Sequence, residues 1–154
     1  MTICTNSSNV LVSRIGGSGT VYNTSSVTAV NNATWTNVNY ITTLRQKGNG
    51  TLNWVNQGTG FRNNSSQTLL VTVSFTAKKY SNFLGLSAIR IVLNNTTALM
   101  TQDVAALDAV SVSASTYLDD NETIQCQMFQ NDGALLSAFF ENVVVTINTY
   151  PCIQ

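Results

Sequence analysis

A chain of 154 residues suits one domain able to bury roughly two-thirds of its unfolded surface, and its 44% apolar content excludes a disordered polymer. Only 9% of residues are charged, seven basic against seven acidic, where soluble domains usually carry roughly 25%. Nucleic-acid binding needs a clustered basic face, and Lys78-Lys79 is the one adjacent basic pair.

The N-terminal residues Met1-Thr2-Ile3-Cys4-Thr5-Asn6-Ser7-Ser8 lack the positive and apolar regions of a secretory leader. The expectation is therefore a chain without a secretory signal and with no membrane partner, since no apolar run reaches spanning length. Asn-x-Ser/Thr sequons stand at Asn6, Asn23, Asn32, Asn49, Asn63, Asn64, Asn94, Asn95 and Asn121. In so Asn-, Ser- and Thr-rich a chain, many arise by chance, and without a leader they are not read as glycosylation sites.

Val10 to Ile15 is the first expected strand, and Gly16-Gly17-Ser18-Gly19 reads as a flexible turn after it. That turn lacks the Gly-Lys-Ser/Thr of a phosphate loop and the spaced glycine of a dinucleotide site. Thr34 to Thr42 and Thr51 to Asn56 follow as strands, with turns expected at Gly48, Gly50, Gly58 and Gly60. Leu69 to Phe75 alternates most clearly, Leu69, Val71, Val73 and Phe75 pointing one way and Leu70, Thr72 and Ser74 the other, as in a central strand. Leu86 to Leu93 is a further strand. Thr97 to Leu107 suits either a strand and turn, which is favoured, or a short amphipathic helix. Ala109 to Tyr117 and Ile124 to Met128 alternate again around Asp119-Asp120-Asn121 and read together as a hairpin. Asn142 to Asn148 closes the series, with Pro151 as its terminator. Strands at short spacing without a linker imply one all-β domain over residues 1–154, an antiparallel β-sandwich or barrel.

The sequence has no histidine, which removes the commonest general base and zinc ligand together. Asp119, Asp120 and Glu122 form the densest carboxylate cluster, but their place at a turn favours solvated turn residues over glycosidase chemistry or calcium binding. Asp103, Asp108 and Asp132 are dispersed. Cys4, Cys126 and Cys152 lack metal-ligand spacing; Cys126 shares the inward face of its strand with Ile124 and Met128 and reads as a buried thiol. Two unpaired thiols are the simpler reading of Cys4 and Cys152, because a disulfide needs an oxidising compartment. Were the first and last strands neighbours, a Cys4–Cys152 bond would stabilise by roughly 4 to 5 kcal/mol. Trp35, Tyr40 and Trp54 fall close together, and Trp35 and Trp54 are candidates for stacking on a ligand such as a sugar, although packing is the commoner role. No catalytic residue, metal or cofactor is expected.

In Tyr117-Leu118-Asp119-Asp120-Asn121-Glu122-Thr123-Ile124, in Phe140-Glu141-Asn142-Val143-Val144-Val145, and in Gly58-Thr59-Gly60-Phe61 followed by Leu69-Leu70-Val71-Thr72-Val73, the chain resembles the TNF-like and complement-type globular head family. The resemblance spans roughly residues 33–148, leaving 1–32 as an N-terminal arm with the first strand and 149–154 as a C-terminal tail. Asn121 and Asn142 replace family glycines and Glu122 replaces an aspartate; asparagine tolerates left-handed backbone angles well enough to keep such turns. The resemblance implies a single jelly roll that assembles as a homotrimer, with Tyr117 and some of Phe129, Phe139 and Phe140 at the trimer interface. A jelly roll with this charge-poor composition and no leader leads to the expectation of a viral structural protein. It would be a minor capsid, cap or spike subunit, made in the host cytoplasm, carried in the virion and partnered by itself and other capsid proteins. The alternative is a head that binds a host receptor or carbohydrate, as on a fibre or adhesion module; an enzyme ranks third.

Overall fold

The computed structural model describes residues 3–5, 11–13, 17–23, 28–38, 42–47, 54–56, 60–64, 66, 68–79, 85–105, 108–133 and 138–151. Every regular element among them is a strand: β1 (Ile3–Thr5), β2 (Leu11–Ser13), β3 (Gly17–Asn23), β4 (Thr28–Val30), β5 (Thr36–Asn37), β6 (Thr42–Lys47), β7 (Trp54–Asn56), β8 (Phe61–Asn63), β9 (Leu69–Lys79), β10 (Leu86–Leu93), β11 (Thr97–Asp103), β12 (Ala109–Leu118), β13 (Thr123–Asn131) and β14 (Ala138–Pro151). They form two antiparallel six-stranded sheets. One runs β12-β9-β14-β3-β6 with β4 also on β14; the other runs β11-β10-β13-β8-β7 with β5 also on β13. A small β1-β2 ladder stands apart from both.

The layers meet because β9, β14, β10 and β13 contribute apolar residues to one shared core. From β9 come Leu69, Val71, Val73, Phe75 and Ala77; from β14, Phe140, Val143, Val145 and Ile147; from β10, Ile89 and Ile91; from β13, Ile124, Cys126 and Met128. Cys126 is buried, as its place between Ile124 and Met128 required.

Leu86–Leu93 is the strand its β-branched content suggests, the central β9 lies where alternation places it, and Thr97–Asp103 is a strand. Four expectations are corrected. First, β12 and β13 are not a hairpin: β12 pairs with β9 in one sheet, and β13 with β10 and β8 in the other. Residues 119–122 therefore carry the chain between layers, and alternation reports strands flanking a turn without reporting each strand's partner. Second, the Gly17-Ser18-Gly19 stretch begins β3, held by ladders to β14 on one side and β6 on the other; pairing on both edges outweighs the poor strand propensity of glycine. Third, β14 includes Pro151 as its last residue. β3 and residues 149–151 lie in the same sheet as β9. Fourth, Thr34 to Thr42 is not one strand but the short β5 and the start of β6, in different sheets.

The hairpin of this half is β10–β11. Asn94 and Asn95 both take positive φ, 51° and 61°, and the Thr96 N–H donates to Leu93 O at 3.1 Å. That is a type I′ turn, whose twist matches the strands it joins and which asparagine tolerates.

Candidate functional site

The outward face of β9 and β12 is set by the inward one. With Leu69, Val71, Val73, Phe75 and Ala77 in the core, Leu70, Thr72, Ser74 and Thr76 must face out. Val112 and Leu118 likewise commit Ser111, Ser113, Ser115 and Tyr117 to the outside of β12. The antiparallel register then places hydroxyl opposite hydroxyl. Thr72 Oγ1 lies 2.9 Å from Ser115 Oγ, Ser74 Oγ 3.1 Å from Ser113 Oγ, and Thr76 Oγ1 2.6 Å from Ser111 Oγ. Ser113 also donates to Val73 O at 3.1 Å. The register continues through Asn148, Thr146 and Val144 of β14 to Ser18, Thr20 and Tyr22 of β3.

From Leu70 to Thr76 and from Ser111 to Tyr117 this face bears no charge. Its hydroxyls are bonded to one another, so a second surface can cover them without stripping water from ions. Tyr117, 63% exposed, stands at one end of β12. None of the six paired hydroxyls bonds a carboxylate, so the ladder holds no activated nucleophile of the serine–base type.

The connection beside Tyr117 is built from the acidic cluster. Asp119 accepts a bond from Thr68 Oγ1 at 2.6 Å, Asp120 from the Ser66 N–H at 2.9 Å, and Glu122 from both the Asp119 N–H at 2.9 Å and Asn94 Nδ2 at 2.8 Å. Buried Asn63 fastens both ends, donating through Nδ2 to Leu118 O at 2.8 Å and through its N–H to Glu122 O at 3.0 Å. Asn121 adopts φ 65°, the left-handed angle expected of a residue standing in for glycine. These carboxylates are occupied in shaping the turn, and among the described residues no group of three His, Cys, Asp or Glu side chains is placed to hold a metal.

The other sheet presents a different exterior. Arg90 lays its guanidinium 3.9 Å over the Trp35 ring and donates through Nε to Gln127 Oε1 at 2.7 Å. Gln127 Nε2 donates in turn to Asn37 Oδ1 at 2.7 Å, and Phe129 lies 5.1 Å from Trp35 at a tilt of 40°. Desolvation holds the Arg90 guanidinium below its ordinary value.

These placements separate the candidates named from sequence. Tyr117 stands on the open face. Phe129 packs on Trp35 outside the opposite sheet, which takes it away from that face. Phe140 is fully buried and belongs to the core, so it is withdrawn as a surface contact. A register shift in β14 between Glu141 and Val144 reverses the alternation and turns Phe140 to the same side as Val143. The Trp35 ring is already partnered by Arg90 and Phe129. Cys4 lies on β1, Trp54 on β7 and Phe139 on β14, but their side chains, like Cys152 and Tyr40, lie outside the described residues. The hydroxyl ladder itself was not foreseen, although Thr72-x-Ser74-x-Thr76 and Ser111-x-Ser113-x-Ser115 carry matching alternations.

No family model matches the chain, and no curated protein matches it. Solved structures do. The PRD1 vertex protein P5 superposes with a TM-score of 0.65 at 14% identity, over 92% of this chain and 100% of that one. Murine APRIL superposes with a TM-score of 0.59 at 11% identity, over 88% and 98%. The globular domain of zebrafish complement 1qA protein gives 0.54 at 10%, over 90% and 98%. The fold is the TNF-like jelly roll.

Proposed function

We propose that this chain is a non-enzymatic structural subunit of a virus particle, a minor capsid, cap or spike component that associates with copies of itself as a trimer. The observation that carries this reading is the uncharged, hydroxyl-paired face of β9 and β12 ending in exposed Tyr117. Such a face packs against another neutral surface at little desolvation cost, and an exposed tyrosine at its end is a natural anchor. Likeness in fold to a viral vertex protein over nearly the whole of both chains supports the virion setting. Other capsid proteins, or a host receptor, would bind elsewhere on the subunit. A glycan stacked on Trp35 is disfavoured because Arg90 and Phe129 already pack on that ring.

Light scattering on the purified protein at micromolar concentration tests the assembly. The expected mass is three times the 16.6 kDa of the chain, and Tyr117→Arg should return the single-chain mass while keeping a β-sheet circular dichroism spectrum. A monomeric wild-type protein would overturn the proposal.

A further inference from the structure

At the far end of β9 from Leu69, the inward alternation does not stop at Ala77 but continues to Lys79, whose side chain is 1% exposed. Its partner is Asp132, just beyond β13 and also 1% exposed, with Nζ 3.2 Å from Oδ1. The two residues belong to opposite layers of the sandwich. Gly85 sits against both: Lys79 Nζ donates to Gly85 O at 3.1 Å, and the Gly85 N–H donates to Asp132 Oδ1 at 2.6 Å. A Cβ at Gly85 would overlap Asn131 O and the Asp132 side chain, so only glycine permits this approach. Asp132 Oδ2, by contrast, is buried with no hydrogen-bond partner.

A buried ion pair is a poor source of stability even when every lone pair is satisfied, and an unpartnered carboxylate oxygen makes it poorer. The unpartnered atom is the one that condensation would remove. We propose that Lys79 and Asp132 join in an intramolecular isopeptide bond between Nζ and Cγ, a covalent strap between the two sheets. The step begins when one proton passes from Nζ to the Asp132 carboxylate, which frees the Nζ lone pair. The Nζ lone pair attacks Cγ, the new N–C bond forms, and the C–Oδ2 bond breaks. Oδ2 leaves as water carrying two protons that began on Nζ, so that an ammonium and a carboxylate become an amide and one water with no other reactant. The amide oxygen, formerly Oδ1, keeps its bond from the Gly85 N–H, and the remaining N–H keeps Gly85 O. The strap is independent of trimer formation.

Peptide mapping by mass spectrometry of the folded protein, after prolonged incubation at neutral pH, decides the matter on the wild-type chain alone. The expected result is a branched species in which the Lys79 and Asp132 peptides are joined and together lighter by one water. Lys79→Arg and Asp132→Ala should each abolish it. Separate, unmodified Lys79 and Asp132 peptides would overturn the proposal. So would a loss of water confined to a linear peptide at Asp132-Gly133, which would mean ring closure onto the backbone.

Discussion

The two sheets share a core but treat their outer faces differently. Outside β10 and β13, side chains interlock: Arg90 caps Trp35, Gln127 bridges Arg90 to Asn37, and Phe129 closes on the indole. Outside β9 and β12, short hydroxyls pair across the strands and reach no further. A face whose side chains already satisfy one another by packing has little left to offer a partner. A face of small, neutral, mutually bonded groups costs little to cover, which is why the proposed self-association is set there.

The contrast can be broken most forcefully at Trp35. Trp35→Ala removes the shared partner of Arg90 and Phe129 and should cost about 2 to 3 kcal/mol in urea unfolding, with little effect on subunit association measured by light scattering. Next comes Arg90→Lys, which keeps a cation but loses the planar group over the indole and the Nε–H to Gln127; about 1 kcal/mol is expected in the same titration. On the open face, Ser113→Ala alone should cost roughly 0.5 kcal/mol, and the Ser74→Ala/Ser113→Ala double variant should cost less than the sum of the two single changes. Smallest in stability is Tyr117→Ser, within about 0.5 kcal/mol for the dissociated chain, yet it should weaken association more than any of the others. Were Trp35→Ala instead to dissociate the protein and Tyr117→Ser to leave it intact, the roles of the two faces would be exchanged.

Much of this architecture was legible in the alternation of residues, and what escaped has physical causes. The central strand from Leu69 announces itself through apolar periodicity, and Leu86–Leu93 through its β-branched content. The same parity, followed from Leu69 to position 79, already puts Lys79 inside, but a lysine at the end of a run invites the assumption of solvent. Asn94-Asn95 carries a hairpin signal that can be mistaken for paired sequons, because one amide side chain serves both roles. Phe140 could not be placed, since a register shift after Glu141 reverses the side to which it points. The hydroxyl ladder required knowing that β12 lies on β9, and parity within a strand says nothing about which strand lies beside it.

The position of β14 has a kinetic consequence. It lies between β9 and β3, with Val143 opposite Asn23 and Val145 opposite both Val21 and Phe75. Among the described strands β14 comes latest in the chain, yet it is the second neighbour of both β3 and β9, which otherwise pair with β6 and β12, and the one partner of β4. During translation those earlier strands must wait with open edges, and the sheet can close only once β14 has left the ribosome. Closure across so long a stretch of chain makes folding slow, and strand edges left open meanwhile are the surfaces through which unfinished chains adhere to one another.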